Sequence, residues 1–186
     1  IAHAFTAIAT AGFSPRAESI GAFSPAVQWA VTLFMIVGAT NFVLLYALIR
    51  GDTERLRDSE EFHFYLGILG VGSLLVTTLL LLDQGVPGGV GASIRHAVFQ
   101  TAAIVTTTGY ASTDFNAWSA GAKNLLFVMM FIGGMAGSTT CSVKTLRWLI
   151  VTKSFWRDLN VSAHRQSVRP VRLSDEAVSE DTVRDV

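Results

Sequence analysis

Three stretches of the chain carry no Asp, Glu, Lys or Arg: 31 residues between Glu18 and Arg50, 21 between Glu61 and Asp83, and 20 between Lys123 and Lys144. A helix crosses the hydrocarbon core of a bilayer with about 20 mostly apolar residues, each rising about 1.5 Å. All three runs reach that length, whereas helices in soluble domains usually stop nearer a dozen residues. A large soluble core would need polar helix faces, and these runs lack them. The pattern predicts an all-α integral membrane protein with spans on all three runs.

The cations sort by side. Arg50, Arg55 and Arg57 lie between the first two runs. Lys144, Arg147, Lys153, Arg157, Arg165, Arg169, Arg172 and Arg184 lie at or beyond the end of the third. That is eleven of fourteen, leaving Arg16, Arg95 and Lys123 elsewhere. The positive-inside rule then puts 51–61 and the C-terminal tail in the cytoplasm, with the N-terminus and 83–122 outside. The chain opens at Ile1 with no signal-peptide pattern, and Ser179-Glu180-Asp181 reads as the start of a further helix. It therefore reads as an internal segment of a longer transporter.

Two segments outside the runs look alike. His3-Ala4-Phe5-Thr6-Ala7-Ile8-Ala9-Thr10-Ala11-Gly12-Phe13-Ser14 parallels His96-Ala97-Val98-Phe99, then Thr101 to Ile104, then Val105-Thr106-Thr107-Thr108-Gly109-Tyr110-Ala111-Ser112. Gly12 and Gly109 stand 97 residues apart, each within Thr-x-Gly-aromatic-small. A period this long is a duplication of the kind that builds many transporters. The second segment is too polar at its end to cross a bilayer alone, and non-helical backbone at membrane depth survives only against protein or water. A short helix, capped by Ser93, that dips in and returns as an extended strand fits this pattern. Backbone carbonyls on such a strand can replace the water shell of K⁺, with Thr hydroxyls adding oxygens. Glycine supplies the positive φ that turns successive carbonyls one way. Phe13 and Tyr110 would pack behind the strands. Alone, a Thr-x-Gly-aromatic reads sooner as an ordinary polar turn than as a filter; two copies, each after a short apolar segment and before a span, reverse that and favour a cation filter.

The third run contains Gly133, Gly134 and Gly137, followed by Ser138, Thr139, Thr140, Cys141 and Ser142. Poor helix formers in succession suggest a non-helical loop lining a pore. Gly133 and Gly137 are equally a Gly-x-x-x-Gly packing face, and both readings stand. Asn41, inside the first run, reads as interhelical glue.

Composition narrows the chemistry. Fourteen Lys/Arg balance fourteen Asp/Glu at a mean hydropathy of +0.46, which disfavours a nucleic-acid binder. A single cysteine, Cys141, excludes an intrachain disulfide or a Cys-rich zinc module. His3, His63, His96 and His164 have no metal spacing. The Gly-rich 85–91 lacks the Gly-Lys-Ser/Thr ending of a phosphate loop. No cofactor is expected. A membrane enzyme would need a cluster of intramembrane carboxylates or histidines, and the runs offer none beyond His63 and His96 at their margins.

Nearly the whole chain resembles the TrkH/KtrB-type potassium uptake proteins, the membrane subunits of Trk and Ktr systems. The likeness rests on Thr10-Ala11-Gly12-Phe13-Ser14, Gly38-Ala39-Thr40-Asn41-Phe42, Thr106-Thr107-Thr108-Gly109-Tyr110, Asp114-Phe115-x-x-Trp118, and Gly133-Gly134-Met135-Ala136-Gly137-Ser138-Thr139-Thr140 followed by Lys144 and Arg147. It implies potassium-channel-like membrane-pore-membrane repeats with re-entrant pore loops in a multi-pass cell-membrane protein. Residues 1–50 would be a partial repeat, 51–61 a cytoplasmic loop, 62–152 a complete repeat with a broken last helix, and 153–186 a cytoplasmic segment. Thr10, Ala11, Gly12, Phe13, Thr107, Thr108, Gly109 and Tyr110 would form two quarters of a K⁺ filter. Gly133, Gly134, Gly137, Ser138, Thr139, Thr140, Cys141 and Ser142, with Lys144 and Arg147, would form the gate beneath it. The resemblance also implies a homodimer, contact with membrane lipid, and a cytosolic nucleotide-binding regulatory subunit of TrkA/KtrA type, with no nucleic acid. The family usually has two glycines where this chain has Cys141-Ser142, a departure that suggests a stiffer or differently timed gate. The competing reading is a structural membrane subunit that does not itself conduct.

Overall fold

The computed structural model describes residues 1–83, 86–163, 172–173 and 176–177. The described chain is helical apart from an antiparallel pair of two-residue strands, Arg172–Leu173 and Glu176–Ala177. The expected helix start at Ser179-Glu180-Asp181, the residues His164, Arg165, Arg169 and Arg184, and the Gly85 end of the Gly-rich loop lie outside the described residues.

The second charge-free run is one helix, α5 (Glu60–Leu82), with 23 residues and a mean hydropathy of 2.1. At about 1.5 Å per residue it is about 34 Å long, enough for the hydrocarbon core. Ser59 caps it by accepting from the Phe62 amide at 3.3 Å, and Glu60 and Glu61 sit at the positive end of its dipole. Thr77 and Thr78 return their hydroxyls to the Ser73 and Leu74 carbonyls, so neither needs an outside partner. One stripe, Tyr65, Leu69, Gly72, Val76 and Leu80, is buried, while Val71, Leu74 and Leu82 stay exposed.

The first run is not one span. It divides into α2 (Pro25–Gly38) and α3 (Phe42–Ile49), bent by 108° across Ala39-Thr40-Asn41. The bend has a hydrogen-bond cause. The Ala39 carbonyl accepts from the Met135 amide at 3.0 Å, and the Phe42 amide donates to the Gly137 carbonyl at 3.3 Å. Asn41 does not bridge helices as expected; its Oδ1 caps α3, accepting from the Val43 amide at 2.7 Å. The third run is interrupted too: α7 (Ala120–Met129) stops after 10 residues, and α8 (Thr145–Ala163) begins only after a non-helical stretch. α8 then runs unbroken across residue 152. By length and composition, α5 alone among the described helices can cross a bilayer, and α2 with α3 can do so as a bent pair.

Two short helices precede the breaks. α1 (Ala2–Ile8) packs on α2, and α6 (Gly89–Val105) lies against α2, α5 and α7. Ser93 is not the cap of α6; Gly88, at φ +112°, takes that position. Ser93 sits one turn in, donating to the Gly89 carbonyl and accepting from the Val86 amide, both at 3.2 Å. α4 (Glu54–Asp58) links α3 to α5. The order of short helix, extended segment, 3₁₀ turn and Ser-capped helix occurs twice, with turns at Ser19–Ala22 and Phe115–Ala117 and caps at Ser24 and Ser119. Tyr65, Phe99, Tyr110, Met35, Met135 and Ile20 are fully buried and join both halves in one core.

Candidate functional site

The segments after α1 and α6 have the same backbone. Helix caps Ala9 (φ −76°, ψ 0°) and Thr106 (φ −79°, ψ 1°) end the helices. Thr10 and Thr107 then take φ +48° and +53°, and Gly12 and Gly109 take +68° and +76°. Ala11 and Thr108 between them are not left-handed. This alternation turns successive carbonyls toward one side of each segment. A β-branched residue at positive φ is an outlier and costs on the order of 1–3 kcal/mol, so two at equivalent positions mark a site. The offset is 97 throughout, which corrects the pairing of His3 with His96: Gln100 is the equivalent of His3. The two do related work. His3 Nε2 bonds Ser14 Oγ at 2.8 Å, and Gln100 Nε2 donates to the Tyr110 carbonyl at 3.3 Å.

The two segments lie against each other. A Cβ on Gly12 would run into the Thr108 carbonyl oxygen, so only glycine fits there. The Ala111 carbonyl accepts from the Ile20 and Gly21 amides at 3.0 and 3.1 Å, and the Ala111 amide donates to Ser19 Oγ at 3.2 Å. Tyr110 is fully buried, with its hydroxyl bonded to Thr6 Oγ1 and to the carbonyls of His3 (3.3 Å) and Phe13 (3.4 Å). Tyr110 thus packs behind the segments as expected. Phe13 does not: it is 76% exposed, and no described element covers it as α1 covers Tyr110.

The loop 133–144 sits at the helix ends of both segments. Thr10 Oγ1 donates to Thr139 Oγ1 at 3.0 Å, and Thr139 Oγ1 donates to the Gly38 carbonyl at 3.1 Å. The Cys141 amide donates to Thr107 Oγ1 at 3.0 Å. Two loop residues, two apart, therefore reach the two left-handed threonines. Thr107, Gly109, Cys141 and Ser142 share a cavity of about 560 Å³ with Phe127 and Phe131.

Three sets of contacts hold the loop. Internally, the Gly134 amide donates to Thr140 Oγ1 at 3.1 Å, Ser138 Oγ to the Met135 carbonyl at 2.6 Å, and Ser142 Oγ to the Met130 carbonyl at 3.1 Å. The Lys144 ammonium donates to the Ser138 carbonyl at 3.4 Å, to Thr140 Oγ1 at 3.0 Å, and to the Thr140 carbonyl. Against α3, Gly137 (φ +72°) would bring a Cβ to 3.2 Å from Asn41 Nδ2. Gly133 and Gly134 are buried by close packing, but of loop backbone rather than of two helices, since a Cβ on Gly134 would lie 2.7 Å from the Ala39 carbonyl. Arg147 stands exposed on the first turn of α8.

The third anchor was missed in the sequence. Glu61 Oε1 accepts from the Ala136 amide at 2.7 Å and from Thr145 Oγ1 at 3.0 Å, tying the loop and the start of α8 to α5. In the sequence Glu61 only marks the edge of a charge-free run; an acid there, 75 residues from its partner, carries no local signal. Among the described residues no group of three or more His, Cys, Asp or Glu could hold a metal ion.

A family model described as TrkH, cation transport protein, matches residues 1–86 and 87–186. The Trk system potassium uptake protein TrkI of Halomonas elongata is 34% identical over 189 residues, covering 100% of this chain and 38% of its own length. The Trk system potassium uptake protein TrkH of Escherichia coli K12 is 31% identical over 183 residues, covering 97% of this chain and 38% of its own. The crystal structure of the potassium transporter TrkH from Vibrio parahaemolyticus superposes with a TM-score of 0.92 at 30% identity, over 98% of this chain and 40% of that one. The chain thus spans less than half the length of these relatives. With the family model matching it throughout, the chain belongs to the TrkH family of cation transport proteins, a family of transporters and not of enzymes.

Proposed function

We propose that this chain forms two quarters of a K⁺ filter, and the gate beneath it, in a potassium uptake protein of the cell membrane. The observation that carries the reading is the repeated backbone: left-handed Thr10 and Gly12, and 97 residues on, left-handed Thr107 and Gly109. Such segments present carbonyls to a common axis, where they can stand in for a cation's hydration shell. The names of the relatives, potassium uptake proteins, fit that chemistry. Two further quarters would come from the rest of a full-length protein. The loop 133–144 would close the path, since it joins both threonines at the inner ends of the segments. The cation bias places that side in the cytoplasm. There 51–61 and the tail would meet a nucleotide-binding regulatory subunit of TrkA type, with the full-length protein a homodimer in lipid.

Cation uptake by proteoliposomes bearing a full-length protein with this chain tests the reading. K⁺ uptake should exceed Na⁺ uptake, and Gly109→Ser, which puts a side chain at φ +76°, should erode that preference while some transport persists. Folded protein that carries neither cation with its regulatory subunit supplied would point to a structural subunit instead.

A further inference from the structure

The oxygens that a filter offers are those not engaged elsewhere. A carbonyl that accepts from a donor behind the segment turns its oxygen to that side, away from the axis in front of it. Thr108 directs its oxygen toward Gly12 of the facing segment. Tyr110 does the opposite: its carbonyl accepts from Gln100 Nε2 at 3.3 Å, and Gln100 lies on α6 behind the segment, 2% exposed. The Phe13 carbonyl is drawn back as well, accepting from Thr6 Oγ1 at 3.1 Å and from the Tyr110 hydroxyl at 3.4 Å.

Gln100 is an expensive way to fill this space. Its Oε1 is buried and has no hydrogen-bond partner among the described residues. An unpaired buried acceptor costs about 1–3 kcal/mol, which a leucine of similar length would not incur. A polar group kept at that cost calls for a reason beyond packing. The equivalent position in the first half, His3, reaches Ser14 and not a carbonyl of the segment, so fold symmetry does not demand the contact.

We propose that Gln100 is a positioning residue for cation selectivity: it holds the Tyr110 carbonyl behind the filter, so this quarter offers the ion only the carbonyls of Thr107, Thr108 and Gly109. The proposal rests on the filter reading above. It makes the outermost ring of oxygens incomplete, and discrimination between K⁺ and Na⁺ depends on how many carbonyls surround the ion. Releasing Tyr110 restores an oxygen and strengthens the preference for K⁺.

The test compares K⁺ and Na⁺ uptake for wild type, Gln100→Leu and Gln100→Met in a full-length protein. Both variants remove the donor and keep the volume. The K⁺-to-Na⁺ ratio should rise at least threefold with K⁺ uptake retained; an unchanged ratio, or equal losses for both cations, overturns the proposal. Infrared spectra of wild-type protein with a ¹³C=¹⁸O label at one carbonyl serve if the variants fail to fold. Exchange of K⁺ for Na⁺ should shift a Gly109 label and leave a Tyr110 label in place. Equal shifts overturn the role of Gln100, whereas no shift at either position removes the filter reading beneath it.

Discussion

Threonine rarely takes a left-handed backbone, because its Cβ crowds the following carbonyl at a cost of about 1–2 kcal/mol. Thr10 and Thr107 bear that strain and use their hydroxyls to reach the loop, which glycine could not do. The two glycines are not equivalent. Gly12 is both left-handed and pressed against the Thr108 carbonyl, while Gly109 is left-handed with open space where a Cβ would go. Gly12→Ala should therefore lower the thermal unfolding midpoint more than Gly109→Ala; the reverse order would contradict the packing of the two segments. Ser142 sits at φ +65°, and Cys141 does not share that conformation. Ser142→Gly should then stabilise the protein by about 1 kcal/mol in chemical unfolding, the strain of a left-handed side chain, while Cys141→Gly should not. Equal effects would mean that the two positions are strained alike. The Thr-x-Gly pattern was legible at this scale because backbone strain selects residue types. The roles of Glu61 and Gln100 were not, since both act on partners distant in the sequence or on one particular backbone oxygen.

The helices divide by what their backbone groups bond. α5 keeps its backbone hydrogen bonds internal, so its charge-free run predicted it directly. The runs at 19–49 and 124–143 are also free of charge, yet each breaks where backbone groups of one pair with the other: the Met135 amide with the Ala39 carbonyl, and the Phe42 amide with the Gly137 carbonyl. Hydropathy records burial from water and says nothing of which backbone groups pair, which is why three runs did not give three helices. Glycines at 133, 134 and 137 signal the second break in the sequence, while Asn41 at the first reads there as a helix-to-helix bond. Glu61→Ala tests how the elements are tied together. Loss of the acceptor for the Ala136 amide and Thr145 Oγ1 should cost about 1–3 kcal/mol locally, read as faster amide hydrogen exchange across 133–145 with exchange in α5 unchanged. Uniform acceleration would mean that Glu61 supports the whole fold instead.

At the scale of the molecule, the exposed apolar surface has two characters. Val71, Leu74 and Leu82 line the outer face of α5, as lipid contact requires, whereas Phe5, Phe13, Phe127 and Phe131 are exposed near the two segments and the loop. That arrangement, and the 38% of the relatives' length that the chain spans, both fit a site completed by more of the same architecture. The most direct test is anomalous X-ray scattering from crystals of a full-length protein carrying this chain, grown with thallium(I), a heavy cation close to K⁺ in size. Thallium density is expected on the axis faced by Thr10–Gly12 and Thr107–Gly109. Thallium bound elsewhere, with that axis empty under conditions that saturate uptake, would contradict it.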